Sequence, residues 1–259
     1  MSQRGKTVVA VLQARISSSR LPRKVLSPIN GEPMIRWQIE RIKRAALINH
    51  LVVATSKDSS DDPLASYIES IGVEVIRGDL EDVYSRFVNA LETRRSDAFI
   101  RLTADCPLVM PTLIDEMIEE FFHLNVDYLS NTLPPTFPDG LDIEIVSTEA
   151  FGRLAALELT AFEREHVTPG ICQRPDLFRL ANFEHDPDLS AGRWTVDYQE
   201  DLDFVSQIFG EFTGREASFE MEDVIRFLKA NPDIRNQISG TMRNVSTKDN
   251  EKRLFRDAK

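Results

Sequence analysis

The sequence predicts an α/β fold in which a mostly parallel, twisted sheet is flanked by helices. Three observations predict it. Short apolar runs alternate with amphipathic stretches through the first half of the chain. The first run, Thr7–Leu12, is β-branched and aliphatic, the composition of a strand buried on both faces. Helix-start and helix-stop residues bracket the amphipathic stretches: Pro33, then Asp61–Asp62–Pro63, then Gly72.

Thr7–Leu12 is read as the first strand. Pro33 suits a first helical turn, and Ile35, Ile39, Ile42 and Ala46 share one face of a helix to Ala46. Leu51–Thr55 is the second strand. Leu64, Ile68 and Ile71 line the next helix, which Gly72 stops, and Val73–Ile76 is the third strand. Val83, Phe87 and Leu91 recur every four residues within a helix over Glu81–Arg94. Ala98–Leu102 is the fourth strand and Pro111–Leu124 the fourth helix. In such a sheet, ligands sit beyond the carboxyl ends of the strands. The loops after Leu12 and Leu102 are therefore expected to line the site.

From about Asn125 the pattern changes. Leu133–Asp139 is rich in proline and turn formers, and Leu141–Val146 alternates like an exposed or antiparallel strand. Thr148–Leu159 and Ala161–Cys172 read as helices, and Phe178–Phe183 and Trp194–Val196 as strands. Leu202–Phe209 and Met221–Ala230 read as closing helices, the last stopped by Asn231–Pro232. The expectation is a single domain over residues 1–240, with about 130–180 inserted as an arm that covers the site or pairs two subunits. Thr241–Lys259 has few apolar residues and reads as a frayed tail.

Composition narrows the function. Of 259 residues, 42% are hydrophobic, enough for a substantial core. No apolar run approaches the ~18 residues that cross a bilayer, and the start lacks a signal peptide's apolar stretch, so a cytoplasmic protein is expected. Cys106 and Cys172 are the only cysteines, too few for a disulfide framework and without metal spacing. The net charge is −11, yet residues 1–31 hold six cations and no acid, which leaves −17 on the rest. A cationic segment on an acidic protein points to a small polyanion, not to nucleic acid. A solvated basic arm is the competing reading.

The glycines exclude two nucleotide-binding classes. They stand at 5, 31, 72, 78, 140, 152, 170, 192, 210, 214 and 240. No pair has the spacing of a dinucleotide-binding fingerprint, and none forms a P-loop before a lysine.

The loop after the first strand carries the strongest signal. Gln13 to Lys24 reads Gln-Ala-Arg-Ile-Ser-Ser-Ser-Arg-Leu-Pro-Arg-Lys, with four cations, three serines and no acid. Arginine forks grip paired phosphate oxygens, lysine acts as a point charge, and serine hydroxyls and loop amides donate further hydrogen bonds. Cations here would stabilise the charge that gathers on a leaving pyrophosphate.

From Leu12 to Leu26 this segment resembles the signature loop of the cytidylyltransferases that activate acidic sugars, the sialate and 3-deoxy-manno-octulosonate (Kdo) type. It is most similar to the branch typified by the spore-coat polysaccharide synthesis protein F. The resemblance continues at Arg77–Gly78–Asp79 with Asp82–Val83, at Arg101–Leu–Thr–Ala–Asp–Cys–Pro107, and at Phe137–Pro–Asp–Gly–Leu–Asp–Ile–Glu144. It ends at Arg164–Glu–His166 and at Arg193–Trp–Thr–Val–Asp–Tyr–Gln–Glu–Asp–Leu202. It implies a nucleotide-diphospho-sugar transferase-like fold, CTP as donor, Mg²⁺ as cofactor, a small acidic sugar-like acceptor and a homodimer. It also implies nucleotide contacts from Leu12, Gln13, Ala14, Arg15, Ser17, Ser18, Ser19, Arg20, Lys24, Arg77, Thr103 and Ala104. Gln13 stands where the sialate and Kdo enzymes carry proline, and Ile16–Ser17 where they carry Gly-Ser, while the phosphate cations are kept.

Asp105 and Asp197 match the two metal-binding aspartates of that family. Asp105 lies just past the fourth strand, and Mg²⁺ takes one or two carboxylates plus phosphate oxygens. Asp105 could instead cap a turn before Pro107. Asp197 with Glu200 three residues on also makes a capping-box pattern. Arg15, Lys24 and Asp105 are the residues expected to carry catalysis.

On the acceptor side, Asp142 and Glu144 share one face of a predicted strand, a sugar-binding or merely solvated edge. Arg101, inside the fourth strand, needs a carboxylate partner or a substrate. Arg164 could hold an acceptor carboxylate; His166 could bind substrate, act as a base or be structural. The competing functions are a nucleotide-sugar-dependent glycosyltransferase and a non-catalytic nucleotide-binding protein. The first normally needs an Asp-x-Asp motif, and Pro107 occupies the second acidic place after Asp105.

Overall fold

The computed structural model describes residues 5–92 and 94–237. In chain order the elements are β1 (Val8–Gln13), β2 (Pro28–Ile29), β3 (Glu32–Pro33), α1 (Met34–Ile42), β4 (His50–Ser56), α2 (Asp62–Ser70), β5 (Glu74–Gly78) and α3 (Val83–Glu92). Next come β6 (Ala98–Thr103), α4 (Pro111–Leu124), β7 (Tyr128–Ser130), β8 (Glu144–Ser147), α5 (Thr148–Leu154), α6 (Ala161–His166) and α7 (Pro169–Cys172). β9 (Leu180–Asn182), α8 (Gln199–Glu211), α9 (Met221–Ala230) and α10 (Pro232–Asn236) complete the described chain.

Seven strands form one sheet in the order β5-β4-β1-β6-β8-β7-β9. β5, β4, β1 and β6 are parallel, β8 is antiparallel to β6 and β7, and β9 is parallel to β7. The chain runs from β1 out to β5, then returns to β6 on the other side of β1. The loops after β1 and β6 therefore part in opposite directions and open a crevice at the sheet's carboxyl edge. The register pairs Gln13 with Thr103 at that edge.

The alternation of β1 divides the core. Val8, Ala10 and Leu12 face one layer with Ile35, Ile39, Leu64, Ile114 and Phe209. Val9 and Val11 face the other with Phe87, Phe99, Phe151 and Ile171. The strongly periodic elements of the first half form at or near the residues their patterns predict, and α4 and α9 form over the expected spans.

The differences lie where local pattern is thin. Trp194–Val196 is not a strand: Trp194 N donates to Asp139 O at 2.6 Å and Val196 N to Asp105 O at 2.8 Å, so the segment is held by loops. The single helix expected over Ala161–Cys172 breaks at Val167, whose φ of 69° ends α6 before Pro169 opens α7. The helix begun at Thr148 stops at Leu154. β7 has only three residues, too few for periodicity to show, and β2–β3 is a hairpin about Asn30–Gly31, both at positive φ. Within 130–180, β8 lies between β6 and β7 in the main sheet, and α5 and α7 pack on the second core layer. Thr241–Lys259 lies outside the described residues.

Candidate active site

The loop after β1 is held from both sides. Ala14 N donates to Ala54 O, and Ile16 N donates to the Asp61 carboxylate at 2.7 Å. Asp61, at the start of α2, is fully buried and also accepts from the hydroxyl and the amide of Ser56. Arg23 takes a left-handed conformation (φ 63°), and one 3₁₀ turn, Lys24–Leu26, follows. This reversal buries Lys24, which is 8% exposed.

Lys24 Nζ meets three acceptors: Val196 O at 2.7 Å, Asp197 Oδ1 at 3.0 Å and Asp105 Oδ2 at 3.4 Å. The two aspartates, far apart in sequence, converge on one ammonium. Gly140 makes the convergence possible. Its φ is +106°, and a Cβ there would lie 2.5 Å from the backbone of Trp194 and Thr195. That backbone crosses to Asp105, whose carbonyl accepts from Val196 N and from the Thr195 hydroxyl.

Asp197 also pairs with Arg20 at 2.7 Å and with Arg193 at 3.3 Å. Arg193 is buried and further bridges Asp139 and Asp201. Asp201, not Asp197, caps α8: its carboxylate accepts from the amides of Asp197 and Tyr198. The capping-box alternative for Asp197 is thereby removed, and its carboxylate faces the cations.

Burial disfavours the Asp105 carboxylate, but Lys24 and hydrogen bonds from Thr103 and Cys106 more than offset it and hold its pKa below the usual range. Burial likewise works against the Lys24 ammonium, and the two aspartates overcome it, raising its pKa. Burial and the neighbouring Asp105 push the Cys106 thiol well up, which suits a packing residue and not a nucleophile. Burial lowers the pKa of His166, with Arg101 adding to the effect and Glu165 opposing it.

These residues border a cavity of about 230 Å³. Twelve of the expected site residues line it: Gln13, Ala14, Arg15, Ser18, Ser19, Arg20, Lys24, Thr103, Ala104, Asp105, His166 and Asp197. Arg15 is exposed, and among the described residues its side chain makes no hydrogen bond or ion pair. The other expected residues stand elsewhere. Leu12 is wholly buried in the core, and Ser17 is exposed off the cavity wall. Arg77 is tied to Ser56 O, Asp58 O and Asp62. Arg101 is paired with Glu144, which also accepts from Tyr128 at 2.6 Å, so these two expected acceptor ligands engage each other, while Arg101 Nε is buried with no partner. Asp142 precedes β8 and acts electrostatically on Cys106. Arg164 clasps Asp82 and lies over the Tyr84 ring, joining α6 to α3.

Val25, Val83, Arg86 and Glu165 also line the cavity. Sequence reasoning missed them. Arg86 was within reach: it stands three residues after Val83 on the apolar stripe of α3, where a cation needs an explanation.

Among the described residues, no group of three or more His, Cys, Asp or Glu is arranged to hold a metal. Asp105 and Asp197 nevertheless fit a hard divalent cation that takes its remaining oxygens from phosphate and water. Their carboxylates already share one cationic partner, the Lys24 ammonium.

The cytidylyltransferase family profile matches residues 9–236. The spore coat polysaccharide biosynthesis protein SpsF of Bacillus subtilis is 32% identical over 235 residues, covering 87% of this chain and 95% of that one. A cytidylyltransferase structure from Leptospira borgpetersenii superposes with a TM-score of 0.84 at 30% identity, covering 92% of this chain and 98% of that chain. CMP:2-keto-3-deoxy-manno-octonic acid synthetase, solved with CTP, shares the fold: its TM-score is 0.62 at 18% identity, covering 80% of this chain and 99% of that one. With its cationic loop facing two converging aspartates across a cavity at the sheet's carboxyl edge, this chain belongs to the cytidylyltransferase family and is a nucleotidyltransferase.

Proposed function

We propose that the enzyme transfers CMP from CTP to a small acidic sugar or related acceptor, with Mg²⁺ as cofactor and pyrophosphate as the other product. The observation that carries this reading is the meeting of Lys24 with Asp105 and Asp197 at the mouth of the loop that bears Arg15 and Arg20. An acceptor hydroxyl oxygen bonds to the α-phosphorus of CTP, the bond from that phosphorus to the β-phosphate oxygen breaks, and pyrophosphate leaves. Arg15, Arg20, Lys24 and the hydroxyls of Ser18 and Ser19 hold the phosphates and stabilise charge on the leaving group. Asp105 and Asp197 would hold Mg²⁺, which supplies charge neutralisation and alignment of phosphate oxygens. His166, kept neutral by its burial, accepts the hydroxyl proton.

The resemblance to SpsF supports a role in surface polysaccharide or glycoconjugate synthesis. We read the enzyme as a cytoplasmic homodimer. No helix among the described residues is long and apolar enough to cross a membrane. Leu133 and Leu177, 49% and 52% exposed, both fall in the segment expected to pair subunits. Light scattering on the purified protein tests the dimer.

The deciding experiment for the activity is pyrophosphate release with each of the four nucleoside triphosphates, MgCl₂ and a panel of acidic sugars. Release that requires CTP and one acidic sugar is expected. No release with any pair, or turnover of a nucleotide sugar without pyrophosphate, overturns the reading.

A further inference from the structure

Val167 takes a backbone conformation that its own side chain opposes. Its φ is 69° and its ψ −64°, and Thr168 N donates to His166 O at 2.9 Å, closing a three-residue turn of the rare, strained hand. Three other non-glycine residues with positive φ stand among the described residues: Arg23, Asn30 and Asn125. Asparagine tolerates positive φ, and Arg23 lies in the left-handed well. Val167 is β-branched and lies outside that well.

Such a conformation persists only where its surroundings fix it. Here they do. The Val167 side chain is fully buried in the second core layer, and its amide donates to Glu163 O at 2.8 Å. α6, which leads into the turn, is capped reciprocally by Thr160 and Glu163 and anchored by the pairs Arg164–Asp82 and Glu163–Arg174. Pro169 has no amide with which to carry the helix on.

The strain falls beside the site. His166, the residue before the turn, lines the cavity. The Phe162 ring, one helical turn earlier, lies with its centroid 4.4 Å from that of the imidazole. His166 is thus held from two directions: its ring by Phe162, and its backbone by a turn locked at the next residue. If that turn relaxed, the His166 backbone would rotate with it.

We infer that Val167 and Phe162 are positioning residues that aim the His166 imidazole at the acceptor hydroxyl. This rests on the proton transfer to His166 proposed above. A base works only within hydrogen-bond reach of its proton, and a small misplacement lowers the rate steeply.

The test is a mutant cycle on the full chain. Pyrophosphate release is measured with CTP, MgCl₂ and the acidic sugar that supports release in the screen above. Calorimetry gives the Kd for CTP, and urea unfolding gives stability. Val167→Ala and Val167→Gly both empty the core position, but only glycine takes the observed φ freely. The urea midpoint of Val167→Gly should equal or exceed that of Val167→Ala, the reverse of the usual order. A glycine variant clearly less stable than the alanine variant would overturn the inference. Val167→Gly and Phe162→Ala should each lower kcat about 10-fold or more, with the Kd for CTP within about twofold. His166→Gln should lower kcat about 10²-fold, and adding either change to it should cost less than about twofold more. Losses that multiply in the double variants would place both residues outside a His166 role and overturn the inference, while the proposed function stands. Phe162 is half-buried, so its arm of the cycle decides the matter if neither Val167 variant folds. A His166→Gln enzyme with unaltered kcat would remove the base from the proposed function, and this inference with it.

Discussion

Lys24 and Asp197 are 173 residues apart in sequence, and the lysine ammonium donates to the aspartate carboxylate at 3.0 Å. The pair ties the loop after the first strand to the segment before α8, and both residues line the cavity. It also brings two carboxylates together around one ammonium, because Lys24 pairs with both.

Replacing Lys24 with Met removes the shared cation and leaves Asp105 and Asp197 facing each other. Turnover should fall about 10²-fold or more, in line with the loss of an electrostatic stabiliser. Steady-state pyrophosphate release reads the loss, and turnover within a few-fold of the unaltered enzyme would exclude the role.

Arg15 offers the cleaner contrast. Its side chain is exposed and makes no hydrogen bond or ion pair among the described residues, so the fold does not depend on it. Arg15→Ala should leave the urea midpoint close to that of the unaltered protein, within about 0.5 kcal/mol. Turnover should still drop about 10²-fold. Loss of stability together with activity would assign Arg15 to the scaffold.

Asp61 never reaches the cavity, yet it holds Ile16 N and Ser56 through its two oxygens. Asp61→Asn turns an acceptor-only carboxylate into an amide that meets those donors poorly. A loss of about 1–3 kcal/mol is expected. Because the loop is loosened and its cations remain, KM for CTP should rise by more than kcat falls. An effect on kcat alone would contradict a positioning role.

Gly140 sits at φ +106° with no room for a Cβ against Trp194 and Thr195. Gly140→Ala should cost about 1–3 kcal/mol from the backbone conformation alone, with the clash added. The segment that carries Asp197 would be pushed off Asp105. Activity should therefore fall further than the fraction unfolded explains, which circular dichroism and turnover on one sample can compare.

His166 gives a pH signature with a definite sign. Its pKa is depressed in the fold, chiefly by burial. Between that lowered value and the ordinary value of about 6.5, the unfolded chain binds more protons than the folded one. The contribution is present above the ordinary value and is lost as pH falls through the window below it. Urea unfolding from pH 7 down to pH 5 should show the loss, and His166→Gln should flatten it. An unchanged slope in the variant would mean that other groups dominate.

How much was legible in the residues themselves follows from periodicity and contact range. Strands such as Val8–Gln13 and helices such as Pro111–Leu124 repeat their apolar residues often enough for the pattern to define them. The cationic loop was legible too, because its chemistry is contiguous and its position follows from strand alternation. The Asn30–Gly31 turn also carries a readable hairpin signal, since both residues take positive φ. Asp197 was ambiguous by spacing, since a helix start lay next to it, and only the carboxylate of Asp201 at that helix end resolves the matter.

The amino-acid order determined the α/β class, the strand sequence of the first half and the anion-seeking loop, because each rests on neighbours a few positions apart. Tertiary structure decided which charges meet. It paired Arg101 with Glu144 and Arg164 with Asp82, turned Lys24 inward onto two distant aspartates, and left the Arg86 guanidinium with idle donors at the cavity wall. Those outcomes depend on chain crossings such as the one at Gly140, where backbone segments more than 50 residues apart touch. No local periodicity encodes such a contact, since its free energy arises only once the sheet has brought both partners to the same edge.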